Sequence, residues 1–147
     1  MVAKLAPTLL ASLVSKVMAT SCGIDFLLAA EGLGPPVPWR VASLPINGFR
    51  PINVVIASDK PGCFALASGL LQMAPADLDQ GMVEDSLREL VNMLAGQIKR
   101  AMSLDQALGL PEIVQPDDVP RRLEGVGKPV VVTSGSVLLM VWVTSRT

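Results

Sequence analysis

The sequence predicts an α+β fold, a mainly antiparallel sheet with long helices packed on it. Three observations lead there. Apolar residues recur at helical spacing over two long stretches, Pro7 to Thr20 and Met82 to Met102. Two pairs of strand-like runs are joined by turn residues, Asn47-Gly48 in one and Ser134-Gly135-Ser136 in the other. The elements follow the order helix, hairpin, helix, long helix, hairpin, which suits an antiparallel sheet with helices laid against it.

The first helix is expected from about Pro7 to Thr20. Leu9, Leu10, Leu13, Val14, Val17 and Met18 repeat with helical spacing. Pro7 suits a first turn and Gly23 a C-terminal cap. Met1-Val2-Ala3-Lys4 before an apolar run, with Cys22 after Ala19-Thr20-Ser21, has a faint likeness to a secretion signal. Lys16 interrupts that run, and a signal core needs no helical periodicity, so the segment reads as the first helix of the domain. Ile24 to Phe26 begins an extended piece. Glu31 to Pro38 carries two glycines and three prolines and is a loop. Trp39 to Ile46 alternates as a strand, which Pro45 either weakens or puts at an edge. Ile52 to Ala57 is its partner.

Ser58 to Gly62 is a turn or the start of a helix that covers Cys63 to Met73. Gly69 is a poor residue inside it. Pro75 to Gln80 is a short acidic connector to the long helix. Leu110 to Val114 is a short extended piece, and Gln115 to Arg122 is a polar, proline-rich loop. Pro129 to Thr133 and Val137 to Val143 form the closing hairpin. No internal repeat and no boundary divides the chain, so residues 1–147 are expected to form one domain.

Composition excludes several chemistries. The chain has 147 residues, half of them hydrophobic, enough for one substantial core. The net charge is −1 and the basic residues are scattered, while Tyr is absent and aromatics make up 3%. Nucleic-acid binding needs a basic stripe and stacking rings, so it is not expected. Histidine is absent, which removes histidine bases, Ser-His-Asp triads and histidine metal sites. Cys22 and Cys63 cannot make a four-ligand zinc site and read as reduced thiols, buried or partly buried, with a single disulfide as the alternative. No apolar run is long enough to span a membrane.

The long helix carries the functional signal. At about 100° per residue, Val83, Leu87, Leu90, Val91, Leu94 and Ile98 share one face. Asp85, Glu89, Asn92 and Gly96 fall on the opposite one. Polar residues on an outward face are ordinary, and Glu89 could simply lie near a Lys or Arg. Asn and Gly are poor mid-helix residues, however, each less favourable than Ala by up to about 1 kcal/mol. Two of them on one solvent face suggest contact with something. Other candidates are weaker. Asp117-Asp118 lies between two prolines and reads as a solvated turn. Gly125-Val126-Gly127-Lys128 lacks the spacing of a phosphate loop. The methionines read as core filler, with Met93 alone bordering the polar stripe.

Glu89-x-x-Asn92-x-x-x-Gly96, with Asp85 four positions before Glu89, resembles the signature of the CheC/CheX/FliY family. These are bacterial chemotaxis phosphatases that dephosphorylate the response regulator CheY. Leu87 to Gly96 is similar to the family's central helix, and Leu110-Pro111-Glu112-Ile113-Val114 resembles the segment that follows it. The order of the remaining elements agrees over nearly the whole chain. Two-site members carry a second motif on the first helix, but Leu5 to Cys22 holds neither Glu nor Asn. A single site resembles the CheX branch, which forms homodimers. The first hairpin departs from the family's usual turn and reads Ile46-Asn47-Gly48-Phe49-Arg50-Pro51.

The resemblance implies a cytoplasmic phosphatase of a phosphorylated CheY-like receiver domain, working as a homodimer and without nucleic acid or membrane. It implies Asn92 as the residue that orients the attacking water and Glu89 as the contact to the receiver's lysine. Gly96 would allow close approach, and Asp85 and Met93 would border the contact. No cofactor of its own is implied, because Mg²⁺ is supplied by the receiver. Two other readings stay open at this point: a binding or scaffold module without catalysis, and an oligomerising structural domain.

Overall fold

Pro7 starts the first helix where its missing N–H is not needed. In the computed structural model, which describes residues 5–30 and 37–145, that helix is α1 (Pro7–Cys22). Gly23 ends it at φ 69, with Gly23 N–H donating to Ala19 O, the single bond of an αL closure, and Ile24 N–H to Met18 O. The expected loop from Glu31 to Pro38 falls mostly outside the described residues.

The strands are β1 (Leu27–Leu28), β2 (Arg40–Ile46), β3 (Ile52–Ser58), β4 (Glu112–Val114), β5 (Val130–Ser134) and β6 (Val137–Ser145). They form one sheet in the order β1-β5-β6-β3-β2-β4, every described pair antiparallel. The two hairpins, β2–β3 and β5–β6, therefore lie side by side through β3 and β6. The α+β expectation is borne out.

The central strands alternate between two apolar faces. Ile52, Val54 and Ile56 of β3 join the main core, while Val55 and Ala57 face the other side. The main core is closed by three helices: α1, α2 (Lys60–Leu71) and α3 (Gln80–Ala101). Each large side chain fully buried there contributes about 1.5–3 kcal/mol. On the opposite face Val41, Val114, Met140 and Trp142 are covered by Val119, Leu123 and Val126. Trp142 Nε1 donates to Gly127 O at 3.1 Å and fastens that cover down.

Several expectations shift. The extended piece expected to begin at Ile24 to Phe26 becomes a strand only at Leu27–Leu28, and Phe26 before it is buried in the core at 1% exposure. Pro45 is not at an edge, since β2 lies between β3 and β4. Its carbonyl accepts Gly109 N–H at 2.6 Å, on the side away from β3. Its missing donor points that way too, beyond the end of β4, so no bond to β3 is lost. Asn47-Gly48 opens a five-residue connection between Ile46 and Ile52 rather than a two-residue turn. Gly48 adopts φ 127, and the Gln106 side chain occupies the space a Cβ would need. The second hairpin is tight: Ser134 pairs with Val137, and Gly135 takes φ 58. Gln115 to Arg122, expected as a loop, is a 3₁₀ turn at Pro116–Asp118 followed by α4 (Val119–Leu123). The reason is burial, because one helical turn aims Val119 and Leu123 together at the second core.

Candidate functional site

Helix α3 is placed by its ends and its buried face. Asp79 caps it, its carboxylate accepting Met82 N–H at 2.8 Å. Val83, Ser86, Leu87, Leu90, Val91, Leu94, Ala95 and Ile98 are buried along it. Near its N-terminus Glu84 accepts from Arg40 Nε at 3.0 Å. Arg40 in turn lies 4.0 Å over the Trp39 ring and donates to the Trp39 carbonyl. This pair joins α3 to the start of β2, and Arg40 is only 10% exposed.

The polar stripe sits where the periodicity places it, on the face away from those buried residues. Asp85 and Glu89 are exposed, and Asn92 and Gly96 are half-buried. Glu89 and Asn92 are three residues apart, so their Cβ atoms lie about 5–6 Å from each other. Among the described residues no hydrogen bond or ion pair engages either side chain. The cation beside them is occupied elsewhere: Arg88 donates to Asp85 at 2.5 Å. A methyl group added at Gly96 would meet nothing within 4 Å, so internal packing does not require a glycine there. Met93 turns toward α1, where its sulfur accepts the Ser21 hydroxyl at 3.0 Å. Asp85, Glu89, Asn92 and Gly96 thus run together along one line, with Met93 beside it.

The line offers carboxylates, an amide and an unobstructed stretch of backbone, groups that can dock and position a partner. Ser86 is buried and donates to Met82 O. The two thiols are buried and free, and burial pushes Cys22 up to about 11 and Cys63 up to about 12, so neither forms a thiolate near neutrality. Among the described residues no three of His, Cys, Asp or Glu converge to hold a metal. No described helix is long and apolar enough to cross a membrane.

The other acidic candidates are surface features. Asp118 pairs with Arg121 at 3.2 Å, and Glu112 with Arg122 at 2.6 Å. Sequence reasoning missed the Arg40–Glu84 link, which joins residues far apart in the chain and leaves no local signal. It also missed that Arg88 pairs with Asp85 rather than Glu89, although an i,i+3 spacing can reveal such a pair.

None of the curated proteins compared matches the sequence significantly. Among solved structures, the fold is similar to CheX in a CheX–CheY–BeF3–Mg²⁺ complex from Borrelia burgdorferi. The TM-score is 0.77 at 16% identity, with 100% of each chain covered. It is similar to CheX from Desulfovibrio desulfuricans, with a TM-score of 0.67, 16% identity and coverage of 93% and 96% of the two chains. FliY from Thermotoga maritima has a TM-score of 0.56 at 12% identity, covering 99% of this chain and 93% of that one. The family model described as chemotaxis phosphatase CheX matches residues 41–134, a span that contains the whole of α3. The chain belongs to the CheX family of chemotaxis phosphatases.

Proposed function

We propose that this chain accelerates hydrolysis of the aspartyl phosphate on a CheY-like receiver domain. The observation that carries the reading is the pair Glu89 and Asn92. Both are unengaged among the described residues, on the outward face of a helix fixed at its start and along its buried side. The solved relative that contains CheY together with BeF3 and Mg²⁺ supports the choice of partner.

In this reading α3 docks across the phosphorylated site of the receiver. Glu89 pairs with the receiver's active-site lysine and sets the register of the two proteins. Asn92 brings its amide beside the phosphoryl group and holds the attacking water in line with the bond that breaks. Correct placement of water is worth several kcal/mol, since little covalent chemistry is asked of the protein. Mg²⁺ belongs to the receiver. Asp85 and Met93 border the contact, and Gly96 lets the backbone of α3 come close. We further take the chain to be a single cytoplasmic domain acting as a homodimer, in line with the single-site CheX branch.

The test is phosphate release from a phosphorylated CheY-like receiver of the same organism, with wild type beside Asn92→Ala. Wild type is expected to accelerate the loss of phosphate. Asn92→Ala is expected to lose the acceleration while still binding the receiver. Equal binding by both proteins with turnover in neither would instead make the chain a binding module. No acceleration with any receiver of the organism overturns the proposal.

A further inference from the structure

Ser21 of α1 and Met93 of α3 meet at the flank of the polar line. The Ser21 hydroxyl donates to the Met93 sulfur at 3.0 Å, between residues 72 positions apart. A serine inside a helix commonly returns its hydroxyl to the carbonyl one turn back, as Ser86 does with Met82 O at 2.9 Å. Ser21 reaches another helix instead, and it does so from a fixed place. It sits in the last turn of α1, which Gly23 closes at φ 69. The backbone oxygen of the next residue, Cys22, lies so close to α2 that a Cβ on Gly69 would come within 2.3 Å of it. The end of α1 is thus pressed against α2 while it holds a side chain of α3. That side chain matters, because Met93 follows Asn92 directly and is half-buried. It also stands only about 40° from Glu89, one turn back on the helix. Helical side chains lean toward the N-terminus, so a methionine without an anchor here has Glu89 within its sweep. Its rotatable bonds give it several places to lie, and the bond from Ser21 selects the one on the α1 side.

We infer that Ser21 is a positioning residue of this face, resting on the reading of α3 as the surface that meets a phosphorylated receiver. It holds Met93 as a fixed wall beside the line and keeps Glu89 clear for docking. Ser21 acts through Met93 and touches neither the receiver nor its phosphoryl group. Without the hydroxyl, the thioether samples positions over Glu89, and an incoming receiver must displace it. Occlusion of this kind weakens docking but leaves the bound complex as it was, because Asn92 itself has not moved. Stability does not require the bond: a half-buried hydroxyl in a last helical turn has water and its own helix's carbonyls as alternative partners. The first helix thereby takes part in the site, although Leu5 to Cys22 holds neither Glu nor Asn.

The experiment uses the full chain with isotope-labelled methionine methyls and the CheY-like receiver of the same organism that it dephosphorylates fastest. It reads the NMR signal of the Met93 methyl, assigned by its loss in Met93→Ala, beside KM and kcat for phosphate release. Ser21→Ala is expected to move the Met93 methyl signal toward that of a freely rotating side chain. It is also expected to raise KM about threefold with kcat unchanged. Ser21→Thr keeps the hydroxyl and is expected to restore most of both effects. In a Met93→Ala background Ser21→Ala is expected to add nothing, since no thioether is left to hold. An unmoved Met93 methyl in Ser21→Ala overturns the inference. So does a fall in kcat without a rise in KM, or the full effect of Ser21→Ala in the Met93→Ala background. If wild type dephosphorylates no receiver, the proposed function itself falls and this inference with it. If wild type is active and Ser21→Ala has the wild-type KM, this inference alone falls.

Discussion

Gly96→Ala separates the demands of folding from those of function. Gly96 lies inside α3, five residues from its last residue, where Ala is the better helix former by about 0.8–1 kcal/mol. The new methyl has no neighbour within 4 Å, so no steric cost offsets that gain. The variant should be more stable by about 0.5–1 kcal/mol. For a chain of this length the melting temperature should rise by about 2 °C. Phosphate release from a phosphorylated receiver should nevertheless fall, and Gly96→Leu should lower it further, because both add bulk where the partner approaches. The assays are a thermal melt by circular dichroism and a phosphate-release time course on the same preparations. A lower melting temperature for Gly96→Ala would refute the structural argument. Unchanged activity in both variants would show that the glycine is not there for a partner.

Three further variants probe what holds the platform. Gly69→Ala should destabilise the protein by about 1–3 kcal/mol in urea unfolding, because its Cβ would lie 2.3 Å from the backbone oxygen of Cys22; wild-type stability would refute that crossing of α1 and α2. Glu84→Ala should cost about 1–2 kcal/mol by leaving buried Arg40 without its carboxylate, and the double variant with Arg40→Leu should recover part of it in a double-mutant cycle. Additive losses would mean that the pair is not coupled. The thiols should resist a disulfide reagent at pH 8 until denaturant is added, since burial holds them protonated up to about 11 and 12. The sign follows from these shifts: both are raised, so any stability they contribute is complete below about 9 and declines as pH climbs toward 11 and 12. Rapid labelling in native buffer would contradict their burial.

The parts of the fold that were legible in the chain are those written in local chemistry. Pro7 and Gly23 bracket α1 because one lacks an N–H and the other accepts φ 69. Gly135 closes a two-residue turn for a similar reason. The stripe on α3 was readable because helical geometry alone places Glu89 and Asn92 together. What escaped depends on residues that meet only after folding. Gly69 looked like a defect in α2, yet its missing side chain is what admits the end of α1. Pro45 looked like an edge marker, although the side it cannot serve is met by Gly109 rather than by solvent. The turn at Val119–Leu123 forms because it covers a second apolar face of the sheet, which no local pattern announces.

The same distinction bears on how a helix without histidine or accessible thiol would act on a phosphorylated partner under the proposed function. If catalysis is placement, the platform must hold its residues to a fraction of an ångström while another protein presses on it. Helix α3 meets that demand through its buried face, its Asp79 cap and the Arg40–Glu84 link to β2. None of these lies on the outward line of Glu89, Asn92 and Gly96. On the proposed function, stability and activity fall on opposite sides of one helix. Substitutions on the inner side should change folding and activity together, whereas those on the outer side should change activity with folding intact or improved. An outer-side variant that unfolds the protein, such as a destabilised Asn92→Ala, would mean that the stripe belongs to the core and that the functional assignment rests on the wrong face.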